Sequence, residues 1–323
     1  MNITFVYLAA ESIAIEILSG RLKKDGHSIS LAFDPGLFDD KQYLDIPILR
    51  KAFVQKSKLL EEIDESSSDL LCFSVGTDNY RWACETAKKV KEKQNVPIIF
   101  GGMHVTAVPE RVINNDFVDM ICIGEGEEAL CELAHSMERG IKNHGIQNIW
   151  FKENGHIIKN PVRSLIQDLD SLPYPDKELF EKHIPIHSGK YMMITGRGCP
   201  FACTYCYNNV LRKNVYGSER KYVRQRSVES IIAELKVMKE KFSCKNVAFM
   251  DDCFTTNRRW FREFVSRYKE EISLPYSCMA YTGQIDEEMG RLLKESGCNR
   301  MMFGIQTMDT KTREEILKRS FET

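Results

Sequence analysis

Residues 196–208 read GRGCPFACTYCYN and bring Cys199, Cys203 and Cys206 within eight positions of one another. Gly196, Gly198 and Pro200 argue against a helix through the first cysteine, so the segment reads as a loop. A flexible loop can wrap three thiolates around one face of a metal cluster. A [4Fe-4S] cluster has four irons, so three cysteines leave one iron open for a substrate. Structural zinc with a distant fourth ligand, or three buried thiols, are the other readings. Zinc sites favour two C-x-x-C pairs, and this chain offers no second pair.

Other polar and small residues cluster where strands should end. SVGTDN places Thr77 and Asp78 after one apolar run. GGMHVT places Gly101, Gly102 and His104 after the next, and IGEGEE places Gly124, Glu125, Gly126 and Glu127 after a third. Glycine is common in such loops because tight turns need positive φ, yet three such loops together point to a ligand crevice. No G-x-G-x-x-G follows the first strand, which leaves a dinucleotide site without support.

The elements that must position these residues alternate. Over 1–150 the apolar runs ITFVYLA, HSISLAF, DLLCFSV, VPIIFGG and FVDMICIGEG interleave with amphipathic runs such as ESIAIEILSGRLKKDG and NYRWACETAKKVKEKQN. This βα rhythm predicts a Rossmann-like, doubly wound parallel sheet with helices on both faces. Residues 151–190 read as a connector: a hairpin turning at Asn154–Gly155, then a proline-containing surface segment. Over 191–323 four strand-helix units follow in a row, with Ser227 as an N-cap. That is half of an eight-unit (β/α) barrel, with every unusual residue at a strand's C-terminal end. The chain therefore reads as a fragment of a longer one.

Composition sets the frame. Of 323 residues, 45 are Lys or Arg and 46 are Asp or Glu, a net charge of -1, which provides no global attraction to nucleic acid or acidic membranes. The apolar N-terminus meets Glu11 and Glu16 and lacks a basic start, so it predicts neither a signal peptide nor a membrane span. A reducing, cytoplasmic setting is expected, with the eleven cysteines as thiols, metal ligands or core. Cys72, Cys84, Cys122 and Cys131 fall in apolar runs. Cys244, Cys253, Cys278 and Cys298 are dispersed, which gives no spacing for a second cluster.

The C-x-x-x-C-x-aromatic-C pattern, with Tyr205 before Cys206, resembles the signature of radical S-adenosylmethionine (SAM) enzymes. VAFMDDCFTTNRRWFREF, SGCNRMMFGIQT, REEILKR, FGGMHVTAVPERV, VDMICIGEGEEAL and DLDSLPYPD resemble the subgroup with an N-terminal cobalamin-binding domain. The resemblance implies that the three cysteines hold the cluster and that its open iron binds SAM. One electron then cleaves the sulfonium to a 5′-deoxyadenosyl radical, with an electron donor such as flavodoxin or ferredoxin and a small-molecule substrate. It implies Asp251 and Asp252 near the methionine moiety, against capping or ion pairing as the other reading. It implies Gln306 near the ribose, where many members carry Glu, and Arg224 near the nucleoside, against a solvated charge. Tyr207 and Asn208 flank the cluster and would shield it or meet adenine. In the first domain it implies cobalamin at Thr77, Asp78, Gly101 to His104 and Gly124 to Glu127. The D-x-H-x-x-G ligand motif is absent around His27, so no lower axial histidine is expected from it. The implied reaction is methylation, with cyclisation or another rearrangement as a variant. A radical enzyme whose first domain holds no cobalt, or a non-catalytic iron-sulfur protein, are the alternatives.

Overall fold

Apolar runs, most of them buried on both faces, form the strands of a parallel sheet in the first half of the chain. The computed structural model describes residues 1–36, 39–40, 44–45, 56–184, 189–217 and 221–319. Strands β1 (Asn2–Leu8), β2 (Ser28–Asp34), β3 (Leu70–Ser74), β4 (Ile98–Gly101) and β5 (Met120–Cys122) run parallel in the order β2-β1-β3-β4-β5. Helices α1 (Ile13–Lys24), α2 (Lys56–Glu65), α3 (Tyr80–Lys93), α4 (Met103–Ala107) and α5 (Glu127–Glu138) lie between or after them. Ser12 starts α1 by accepting from the Ile15 N–H at 3.4 Å. Ile3, Phe5, Leu70, Cys72 and Ile99 supply the buried strand side chains, with Ile15, Leu22, Leu130 and Leu133 from the helices. The strand order reverses between β1 and β3, and ligands of such sheets lie beyond the strand ends there.

The hairpin expected in the connector forms, and it belongs to this sheet. Strand β6 (Ile149–Glu153) pairs antiparallel with β5, and β7 (His156–Ile158) pairs with β6. Asn154 (φ 50°) and Gly155 (φ 78°) make the two-residue turn with the left-handed backbone such hairpins need. The period-two burial of Ile149 and Phe151 explains the docking: they extend the core past the short β5. The compact units are accordingly Met1–Ser164 with Pro173–Ile184, and Leu165–Leu172 with Pro185–Thr323.

Segment Pro173–Ile184 is held in the first unit by a hydrogen-bonded triad of one lysine and two carboxyl groups. Lys177, 2% exposed, reaches Glu11 Oε1 and Glu16 Oε2, each at 2.6 Å. Burial pushes the Glu16 carboxyl up to about 9, against the pull of the Lys177 ammonium. Phe180 is fully buried beside Phe33.

The second unit carries a parallel sheet in the order β8-β11-β12-β13: β8 (Lys190–Met193), β11 (Asn246–Phe249), β12 (Tyr276–Ala280) and β13 (Cys298–Phe303). A small antiparallel pair, β9 (Gly196–Arg197) and β10 (Arg224–Gln225), lies between β8 and β11 in sequence. Helices α6 (Val228–Phe242), α7 (Arg258–Glu271) and α8 (Glu287–Glu295) follow β10, β11 and β12. Each is capped by the side chain before it: Ser227, Asn257 and Asp286. Phe249, Phe254, Phe264, Tyr268 and Tyr276 build a largely edge-to-face aromatic core.

The last of the four expected strand-helix units has one π-type turn, Thr312–Ile316, in place of a regular helix. Its last carbonyls are taken elsewhere: Thr204 of the cysteine loop donates its N–H to Leu317 O at 3.1 Å and its hydroxyl to Ile316 O at 2.8 Å. Among the described residues, no helix is long and apolar enough to cross a membrane.

Candidate functional site

The cysteine loop is built on β9. That strand pairs with β10 so closely that a Cβ on Gly196 would sit 2.7 Å from Arg224 O. Gly198 has φ +85°, and a Cβ there would sit 2.6 Å from Tyr222 O. Only glycine fits both demands. Cys199, Cys203 and Cys206 line one cavity of ≈ 340 Å³ with Asp252, Gln306 and Tyr205. Cys203 is buried, and Cys199 and Cys206 are half-buried. Burial pushes the Cys199 thiol up to about 12, with Cys253 and Asp252 adding to the rise against a backbone hydrogen bond from Phe201. A cationic metal centre reverses this preference, since thiolate is the ligand form. Among the described residues no three His, Cys, Asp or Glu side chains are grouped to hold one metal ion. Three thiols spread around one cavity suit a cluster whose irons take one thiolate each.

The two aspartates divide. Asp252 is exposed on the cavity wall. Asp251 is 5% exposed and turns inward, accepting from Thr195 N–H at 2.9 and 3.1 Å and from Thr195 Oγ1 at 2.7 Å. It ties β11 to the end of β8, so its contacts are structural. Burial raises its carboxyl to about 7 against those donors. Arg224 is 7% exposed and donates to Ile166 O at 2.8 Å and Tyr222 O at 3.3 Å. The solvated alternative is thereby corrected: β9–β10 pairing carries this side chain into the interior, away from the cavity lining. Gln306 lies on the cavity with φ 64°. Asn208 lines the cavity and accepts from Tyr222 OH at 2.8 Å; Tyr207 is outside the lining.

Of the lining residues not singled out from the sequence, three carry polar side chains. Cys253 packs with Cys203 and Tyr281 and donates its Sγ to Gln284 Oε1 at 3.0 Å. Tyr281 stacks on Phe201 with centroids 3.7 Å apart. Arg319 lies over the Tyr281 ring at 4.4 Å and donates to Gly304 O at 2.6 Å. Cys253 and Tyr281 could have been found by their position just past β11 and β12. Arg319 sits in an ordinary charged run and gives no such signal.

In the first unit the loop residues gather past β3, β4 and β5. Thr77 Oγ1 and His104 Nδ1 are 3.1 Å apart, and the His104 ring packs on Tyr80 at 4.2 Å. His104 Nε2 is buried without a hydrogen-bond partner among the described residues, and burial lowers the imidazole's pKa, which favours the neutral ring. Gly102 has φ +100°, and a Cβ there would sit 2.8 Å from Val75 N and O. Thr106 donates to Gly102 O at 2.9 Å and accepts from Gly124 N at 3.0 Å, joining two loops. Asn148 donates to Glu125 O at 2.6 Å, while Thr77 and Asp78 are exposed. Glu127 is buried at the start of α5, and Gly126 lies half-buried before it. A strand-end surface with close backbone, a neutral imidazole and an orphaned nitrogen fits a large polar cofactor such as cobalamin.

The family model of the radical SAM superfamily matches residues 193–323, and that of the B12 binding domain matches residues 4–134. A radical SAM domain is thus present in the chain. In it, a B12-binding domain precedes the radical SAM domain. An uncharacterized methyltransferase of Pyrococcus horikoshii is 29% identical over 292 residues, covering 88% of this chain and 58% of that protein. The anaerobic magnesium-protoporphyrin IX monomethyl ester cyclase of Cereibacter sphaeroides is 26% identical, covering 77% of this chain and 39% of the cyclase. The chain thus spans little more than half, or less, of these relatives. The structure of the radical SAM methyltransferase TsrM from Kitasatospora setae superposes with a TM-score of 0.74 at 16% identity, covering 100% of this chain and 63% of that one.

Proposed function

We propose that this chain is a cobalamin-dependent radical SAM enzyme that methylates a small molecule. The observation that carries the reading is the three thiols of one loop on one cavity, in a chain that also carries a B12-binding domain. Cys199, Cys203 and Cys206 would hold the [4Fe-4S] cluster. Thr77, Asp78, Gly101, Gly102, His104 and Gly124 to Glu127 would hold cobalamin. When bound, these groups supply the electron that splits SAM into methionine and the 5′-deoxyadenosyl radical, and a carrier for the methyl group.

The chain's own side chains do the rest. Asp252 presents a carboxylate to the cavity and would take the ammonium of SAM. Gln306 and Asn208 offer neutral hydrogen-bonding groups for ribose and adenine, and Tyr205 lines the same cavity. Arg224 and Asp251 act from behind, by fixing β10 and the end of β8. A one-electron donor of the flavodoxin or ferredoxin class would reduce the site. Eleven free cysteines suit a reducing, cytoplasmic setting. The cyclase relative favours a second reading, a rearrangement without methyl transfer.

Anaerobic purification and reconstitution test the reading. About four irons and one cobalt per chain are expected, with 5′-deoxyadenosine formed from SAM and dithionite. Iron without cobalt would remove the cobalamin assignment, and zinc in place of iron would overturn the cysteine assignment. Cys203→Ala is expected to lose cluster and cleavage together. A deuterated methyl group on SAM separates methylation from rearrangement by whether the label appears in product.

A further inference from the structure

A buried cation touches one of the three cysteine ligands. Arg319, 8% exposed, points Nη1 at Cys203 Sγ from 3.7 Å and at Tyr205 OH from 3.4 Å, while Nη2 donates to Gly304 O at 2.6 Å. Its guanidinium lies over Tyr281, whose ring also stacks on Phe201 of the cysteine loop. The same segment grips that loop a second time, because Ile316 O and Leu317 O accept from Thr204, the residue after Cys203. Segment 316–319 is therefore fastened to the cysteine loop by backbone, hydroxyl, ring and cation contacts together.

We propose that Arg319 is a positioning residue that sets the reduction potential of the cluster through Cys203. The proposal rests on the reading of the three cysteines as cluster ligands. Hydrogen bonds to ligand sulfur and the local charge are among the main protein controls on cluster potential. Reduction adds one electron, and so one negative charge, to a site already carrying thiolates. Guanidinium cannot lose its proton in a protein, so its charge is fixed. In a buried site that charge is weakly screened and favours the reduced form. The Tyr281 face and the Gly304 carbonyl hold the cation in place, which a flexible surface arginine could not match. A purely structural arginine would fasten the loop and leave the potential where it is.

The test is a redox titration with dithionite, followed by the electron paramagnetic resonance signal of the reduced cluster, on wild type, Arg319→Lys and Arg319→Gln at matched iron content. The Gln protein is expected to titrate at a more negative potential than wild type. The Lys protein, with the charge kept and the fork lost, is expected between them. Four irons with an unmoved potential in both variants would overturn this proposal alone. If the Gln protein fails to load iron, the Lys protein decides, and a potential equal to wild type overturns the proposal. Wild-type protein without iron would overturn both the proposal and the reading beneath it.

Discussion

Asp251 shows how a residue expected near a cofactor can make structural contacts. Its carboxyl sits at about 7 because burial outweighs the Thr195 and Gly196 donors, and neighbouring Asp252 adds to the rise. In the unfolded chain the group returns to an ordinary carboxyl value near 3.8. The native state therefore holds the proton more tightly, so stability from this group is full below about 4 and is lost as pH rises through about 7. Asp251→Asn keeps an acceptor for Thr195 and removes the titration. Its melting temperature is expected to fall less than wild type's between pH 5 and 8. Asp251→Ala orphans the buried Thr195 N–H and hydroxyl and is expected to cost about 1–3 kcal/mol in chemical denaturation. Lys177 makes the complementary case in the first unit. Lys177→Met leaves the Glu11 and Glu16 carboxyls without their hydrogen-bond donor and is expected to cost about 1–3 kcal/mol by the same measurement; an unchanged denaturation midpoint would remove the triad from the account.

At the scale of elements, the cysteine loop depends on the β9–β10 pair more than on the large sheet. Gly198 is where that dependence concentrates, since positive φ and the 2.6 Å approach to Tyr222 O act on the same atom. Gly198→Ala is expected to displace the loop at a cost of at least about 1–2 kcal/mol from the left-handed backbone alone. Iron retention should drop several-fold while far-ultraviolet circular dichroism stays as in wild type. Full iron content in that variant would show that the loop can form without this turn. Gly102 plays the same part in the first unit, with its Cβ position blocked by Val75.

At the scale of the molecule, the first unit needs residues well past its parallel strands. Strand β6 contributes Ile149 and Phe151 to its core, and Pro173–Ile184 contributes Lys177, Leu179 and Phe180. Each large buried side chain lost from a core costs about 2–5 kcal/mol, and a whole domain is stable by only about 5–15 kcal/mol. A fragment of residues 1–148 is therefore expected to lack a cooperative thermal transition, whereas 1–184 is expected to show one. Equal melting of the two fragments would mean that the parallel strands alone suffice.

Local pattern determined the elements. Apolar runs of four to seven residues, capping side chains before helices and an Asn–Gly turn act over a few residues, so strands, most helices and the 154–155 hairpin were legible in order. The three cysteines that line the cavity were legible for the same reason, since one loop carries all three. What the tertiary structure decided lies in contacts between residues distant in sequence. It joined the 154–155 hairpin to the first sheet, because burial of Ile149 and Phe151 outweighs the look of a connector. It separated Asp251 from Asp252, because adjacent residues past a strand end point to opposite sides. It buried Arg224 by pairing β9 with β10. It also brought Arg319 to Cys203 across 116 positions, a charge–sulfur contact that only the closed fold creates.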